Sequence, residues 1–140
     1  MFSNQIEIVS CFFMTGIIWL VQLVHYPSFL YVDRNRFENF CRFHQQRISF
    51  IVIPAMCLEL VANIWTYMQS SQSFLYLLSS LALYAIWFIT FFISMPYHRQ
   101  LSRAFDKMAI RSLIRTNWLR TALWTVRSFL FLYQIHLVSM

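Results

Sequence analysis

The sequence predicts an all-α fold, a polytopic membrane protein built as a four-transmembrane-helix bundle with amphipathic interfacial linkers. Three observations carry that prediction. Of 140 residues, 59% are hydrophobic and only 11% charged, whereas an ordinary soluble domain carries about 25% charged residues. Four apolar stretches each exceed the ~20 residues needed to cross a hydrocarbon core of roughly 30 Å. Most Lys and Arg residues fall in two blocks that alternate with apolar stretches. One glycine and three prolines leave little material for β-turns, and the apolar stretches are too long for strands.

The first span covers about 6–30. It lacks a basic start and a small-residue cleavage pattern, so it is expected to stay in the mature protein rather than act as a signal peptide. A linker over 31–47 follows, with Arg34, Arg36, Arg42 and Arg47. The second span, 48–68, ends in a turn around 69–73 that has no Lys or Arg. The third span, 74–95, runs into a second linker, 96–112, and the fourth span is 113–137. Arg99, Arg103, Lys107, Arg111 and Arg115 form the second basic block. Cytoplasmic connections are the ones that collect Lys and Arg. Linkers 31–47 and 96–112 are therefore expected in the cytoplasm and both termini on the non-cytoplasmic side, as in a bacterial inner membrane. Residues 1–140 read as a single transmembrane domain, with no second domain and no disordered tail.

Both linkers are amphipathic. Phe37, Phe40, Cys41 and His44 fall at i, i+3, i+4 and i+7; Leu101, Phe105, Met108 and Ala109 line up in the second. Such segments are expected to lie in the interface, apolar face down, against anionic headgroups. His25-Tyr26-Pro27 and Pro96-Tyr97-His98 occupy comparable places in the two halves. This suggests two hairpins about a pseudo-two-fold axis along the membrane normal.

Several function classes fall away. The formal charge of +6 does not point to nucleic acid, because the basic residues mark linkers between spans. With Gly16 as the only glycine, P-loop and dinucleotide fingerprints are excluded. No GxxxG dimer motif can form, and a homodimer or larger membrane complex would have no interface marked in the sequence. No glycine-rich elbow surrounds a serine, and no cysteine has a basic activator placed to lower its pKa. Cys11, Cys41 and Cys57 form no CxxC pair; they are expected to be buried hydrophobes.

Polar residues inside the spans carry the functional signal, since ionisable groups at membrane depth are costly and usually face the bundle interior. Asn117, Arg120, Thr121, Trp124 and Arg127 make one stripe of the fourth helix. Met56, Glu59 and Asn63 share a face of the second, and Thr15, Gln22, His25 and Tyr26 mark the first. At a rise of ~1.5 Å per residue, Glu59 and Arg127 both lie roughly 17–21 Å from the inner ends of the spans. A buried Glu59–Arg127 ion pair is expected. Gln22, His25, Asn117 and Arg120 lie only about 6–12 Å in. Arg120 has no equally deep acid among Glu7, Asp33, Glu38 and Asp106. Its forked guanidinium suits a carboxylate or phosphate. A ligand site of Gln22, His25, Tyr26, Asn117, Arg120 and Trp124, open toward the cytoplasmic leaflet, is the expectation. His25, His44 and His98 also approach the inner end, where three imidazoles could bind a metal or ligate haem. No HxxxH or ExxH pair supports that cofactor reading.

The segments WLVQLVHYP (19–27), HQQRISFIVIPAMCLE (44–59) and LIRTNWLRTALWTVR (113–127) resemble a group of small, uncharacterised bacterial four-helix integral membrane proteins. The likeness spans most of the chain, and TNWLRTALWTVR is its most distinctive stretch. It implies the same topology and covers Gln22, Glu59, Asn117, Arg120 and Arg127. It implies no activity, since none is established for the group.

Three functions fit these residues. The first is binding or transport of a small anionic or amphiphilic molecule at the buried Arg/Glu/His site. The second is a metal- or haem-dependent membrane oxidoreductase. The third is an accessory or assembly subunit whose polar seams only hold helices together. Whether the chain is an enzyme is not decided at this level.

Overall fold

Uninterrupted apolar runs with few helix breakers dictate long helices, and a computed structural model contains four. It describes residues 2–69 and 73–139, with side chains over 4–69 and 73–137. Among the described residues there is no strand. Helix α1 runs Phe2–Leu20 and continues through a π-helical turn, Val21–His25, and short Tyr26–Ser28 and Phe29–Tyr31 segments. Helix α2 is Arg34–Gln69. Helix α3 is Phe74–Ile89, extended by a second π-helical turn, Thr90–Ser94, and by Met95–Leu101. Helix α4 is Lys107–Ser139. The neutral turn expected at 69–73 falls largely on residues 70–72, outside the described residues.

The helix starts are set by local chemistry. Asp33 accepts the Asn35 N–H at 2.8 Å, and Asp106 accepts those of Met108 and Ala109 at 2.8 and 3.1 Å. Ser73 accepts the Tyr76 N–H at 3.2 Å. Each satisfies amides that an isolated helix end leaves unpaired.

The two π turns have a common cause. Proline has no N–H, and its ring crowds the carbonyl four residues earlier. Pro27 and Pro96 each stand two residues beyond a π turn, at the same offset in both halves. The widened turns close through Tyr26 N–H to the Val21 carbonyl and Met95 N–H to the Thr90 carbonyl. The backbone thus repeats the feature that the paired His/Tyr/Pro clusters suggested.

The linkers differ from expectation. Residues 34–47 are the first turns of α2, and 96–101 the last turns of α3; only 102–106 is a connection between α3 and α4. The apolar face of 34–47 packs on protein instead of lying flat in an interface. Phe37, Cys41 and His44 are buried, with Leu101, Ala109 and Ile110 in the same cluster as Phe37 and Cys41. Phe37 meets Phe105 edge-on at 4.9 Å. In the second linker Leu101 and Ala109 are likewise buried, while Met108 is 68% exposed.

Helix α1 packs along both α2 and α4, and α3 packs along α4. Helices α2 and α3 meet chiefly at their two ends. At one end Asn63 bonds to Tyr76, Ser80 and Tyr84; at the other Arg42 reaches the Ser102 carbonyl and Gln45 the His98 carbonyl. Between these ends lies a cavity.

Alongside its apolar core clusters the bundle buries an unusual set of polar side chains. Its interior holds Glu7, Gln22, Glu59, Asn63, Asn117, Arg120 and Arg127, all at most 5% exposed, while large apolar side chains dominate its outer surface. Three helices, spanning 4–31, 34–69 and 74–101, are long and apolar enough to cross a membrane.

Candidate functional site

Two polar assemblies fill the interior, one in each half of the bundle.

The first surrounds Arg127. Helical phase brings Glu59 of α2 and Arg127 of α4 to the same depth, and Arg127 Nη1 donates to Glu59 Oε1 as expected. Arg127 Nη2 also donates to Glu7 Oε1 at 3.0 Å, and its Nε to the Ser79 carbonyl and hydroxyl at 3.0 and 3.2 Å. Glu7 is the residue that sequence reasoning missed. Counted as an acid near the start of the first span, it is instead 0% exposed. It accepts from Asn63 Nδ2 at 2.9 Å and from the Tyr76 hydroxyl at 2.9 Å. A Tyr76–Ser79/Ser80–Tyr84 stripe at helical spacing on α3 was the available signal for this shell. One guanidinium is therefore shared between two carboxylates, and every contact is internal to the chain.

Trp124, expected at the ligand site, belongs to this assembly and does not line the cavity described below. Its Nε1 donates to Glu59 Oε2 at 3.2 Å, while the Arg120 guanidinium lies 5.4 Å from its ring centre. The indole thus separates two charged centres. The four buried charges, Glu7, Glu59, Arg120 and Arg127, balance over the molecule, although neither assembly is neutral alone.

The second assembly is nearer the basic end. Gln22 and Asn117 form a clasp between α1 and α4: Asn117 Nδ2 donates to Gln22 Oε1 at 2.9 Å, and Gln22 Nε2 to the Ile114 carbonyl at 3.2 Å. Asn117 Oδ1 accepts from Arg120 Nη1 at 3.3 Å. Gln22 and Asn117 do not line the cavity. Of the six residues expected to form the ligand site, Tyr26 and Arg120 line the cavity.

The cavity has a volume of about 470 Å³, inside the range of roughly 300–1,000 Å³ common for ligand pockets. Most of its wall is apolar, from Met14, Ile17 and Ile18 on α1 and Ile48, Val52 and Met56 on α2. Its polar lining includes Tyr26 of α1, His44, Gln45 and Ser49 of α2, and Trp87, Thr90, Ser94, His98 and Arg120 of α3 and α4. Trp87 Nε1, Ser94 Oγ, His98 Nδ1 and Arg120 Nε are all buried without a hydrogen-bond partner, and all four residues line this one cavity. Native interiors leave few such atoms unpaired. Indole and guanidinium nitrogens can only donate. The Tyr26 hydroxyl pairs with His98 Nε2 at 2.9 Å; when it donates there, the imidazole hydrogen lies on Nδ1. The Trp87 and Arg120 nitrogens thus stand at the cavity as unpaired donors, and Ser94 Oγ and His98 Nδ1 can donate beside them. Trp87, Thr90, Ser94 and His98, at i, i+3, i+7 and i+11, were the sequence signal for this wall.

The three inner histidines do converge. His25 Nε2 bonds to His44 Nδ1, and the His44 and His98 ring centres lie 6.3 Å apart. However, no group of three or more His, Cys, Asp or Glu is arranged to hold a metal ion among the described residues. Two facing nitrogens are engaged with each other, and His98 is turned to Tyr26. His25 does not line the cavity; His44 and His98 do. All three cysteines are free: Cys11 and Cys41 are buried as expected, but Cys57 is exposed.

No protein-family model, curated protein or solved structure matches this chain.

Proposed function

We propose that this chain is a four-span integral membrane protein that binds an anionic or amphiphilic small molecule in the α1–α4 cavity, with Arg120 as its principal anchor. The observation that carries this reading is the set of four unpaired buried atoms, Trp87 Nε1, Ser94 Oγ, His98 Nδ1 and Arg120 Nε, on one cavity wall. A buried guanidinium nitrogen left unbonded is costly, and an acceptor-bearing head group at Arg120 would relieve that cost. An accessory subunit would need only the Gln22–Asn117 clasp and the Arg127 assembly, both complete within the chain; it would have no use for open donors.

Membrane residence of the fourth helix is supported by its outward face. From 118 to 135 the exposed residues are Trp118, Leu119, Ala122, Val126, Phe129, Leu132, Tyr133 and Ile135, whereas Arg120 and Arg127 point inward. The nine other basic residues are all exposed and cluster where 31–34 and 101–107 adjoin. By the positive-inside rule this end is cytoplasmic, with both termini outside, as in a bacterial inner membrane.

The test is binding of radiolabelled oleate to the full chain in phosphatidylcholine nanodiscs, with Arg120→Leu as the variant. Saturable binding lost in Arg120→Leu is the expected result. Equal binding by the variant, or none by the wild type, would sink the proposal. Metal analysis and an absorption spectrum of the same preparation test the oxidoreductase alternative: stoichiometric metal or a Soret band lost in His98→Ala would replace this reading.

A further inference from the structure

The cavity wall is not closed all round. Along its length α1 is seated on α2 and α4, and α3 on α4, but α2 and α3 are joined only near their ends. The Asn63 network pins them at one end; the Arg42–Ser102 and Gln45–His98 bonds pin them at the other. Between these clamps three cavity-lining residues face outward: Ile53, 56% exposed, and Cys57 on α2, and Phe91, 49% exposed, on α3. Their positions lie within roughly 14 Å of the start of the second apolar span, by helical rise. In the membrane arrangement proposed above, that is the acyl-chain region of the cytoplasmic leaflet. A slot there opens into hydrocarbon, not water.

We propose that this slot is a lateral portal through which a single-chain anionic amphiphile dissolved in the bilayer reaches the cavity, its head at Arg120 and its tail leaving between Ile53, Cys57 and Phe91. This rests on the cavity being the ligand site. The chemistry of the two walls selects the ligand class. Head-group donors from α3 and α4 are opposed by Met14, Ile18, Ile48, Val52 and Met56. A bare water-soluble anion would satisfy the donors and leave that apolar wall unfilled. A pure hydrocarbon would do the reverse. An acyl chain ending in carboxylate or phosphate matches both, and its tail can stay in the lipid it came from, so little apolar surface need ever meet water.

Cys57 supplies a reporter at the portal, because it is the exposed thiol while Cys11 and Cys41 are buried. The experiment follows N-ethylmaleimide modification of Cys57 in nanodisc-held full chain, with oleate as probe and acetate as the head without a tail. Oleate should slow modification by the factor 1 + [oleate]/Kd, the ordinary occupancy relation, and acetate should not. Arg120→Leu should abolish the protection. Ile53→Trp, which fills the slot and leaves the donors untouched, should lower the oleate association rate several-fold. Oleate bound in an Arg120-dependent way while Cys57 stays fully reactive would overturn the portal and leave the pocket standing. Protection by acetate equal to that by oleate would overturn the amphiphile assignment. Absence of any oleate binding would overturn both readings together.

Discussion

Replacing Arg127 with Leu removes the one cation that Glu7 and Glu59 share. Two effects contribute, and their sizes differ. The direct loss is four side-chain contacts, to Glu7, Glu59 and twice to Ser79. Interhelical polar contacts in membrane proteins average about 0.6 kcal/mol each, so this loss is on the order of 2 kcal/mol. The second effect is the stranding of two carboxylates that are 0% exposed. Breaking a buried pair by removing one partner costs about 3–5 kcal/mol, and that figure dominates. The midpoint of thermal inactivation in detergent, followed by fluorescence-detected size exclusion, should fall on the order of 10–20 °C for a chain of this size. The decisive comparison is the triple variant Glu7→Gln, Glu59→Gln, Arg127→Leu. It loses the same contacts but strands no charge, so it should recover most of the deficit. A triple variant no more stable than the single one would refute charge stranding as the cause. A single variant melting with the wild type would show that Arg127 does not hold the carboxylates at all.

Three further outcomes follow from the contacts described. Asn117→Leu and Gln22→Leu should each cost up to about 1.7 kcal/mol, the top of the measured range for such contacts; in a double-mutant cycle the pair should cost less than the sum, and strict additivity would contradict the clasp. Asp106→Ala should lower the inactivation midpoint by the equivalent of about 0.5–2 kcal/mol through loss of the α4 cap, with Asp106→Asn nearly neutral. Alkaline phosphatase fused at the C-terminus should be active in a bacterial host and inactive when inserted within 102–106; the opposite pattern would invert the topology.

How much was legible beforehand depended on the kind of interaction. Helix positions follow from apolar length and basic blocks, which act through the local chain. The Glu59–Arg127 pair was legible because charge is rare at that depth and both residues fall on inward phases at matching height. Glu7 was not, because distance from the chain start says nothing about coverage; Asn63 and Tyr76, from two other helices, enclose it. The third helix was under-read for a different reason. Trp87 and Ser94 carry no charge, and their significance lies in what they leave unbonded, which only packing reveals. The linker periodicity was correct as a pattern. What covers it, the neighbouring helix ends in place of lipid, depended on α2 starting at Arg34 without a break.

The burial of both guanidiniums of α4 bears on how the chain is made. On insertion scales an arginine near a helix centre costs about +2.5–3.5 kcal/mol, so α4 is a poor candidate to enter a bilayer alone. Its counter-charges, Glu7 and Glu59, sit on α1 and α2, which are synthesised first and must wait with their own carboxylates uncompensated. Helix α3, joined to α4 by the short 102–106 connection, is apolar enough to enter on its own account and can draw α4 in as a hairpin. In the four-span arrangement proposed above, α4, translated after α1 and α2, then brings the cation that both earlier helices need. In that arrangement a chain halted before residue 107 would hold Glu7 and Glu59 without the Arg127 guanidinium that they share.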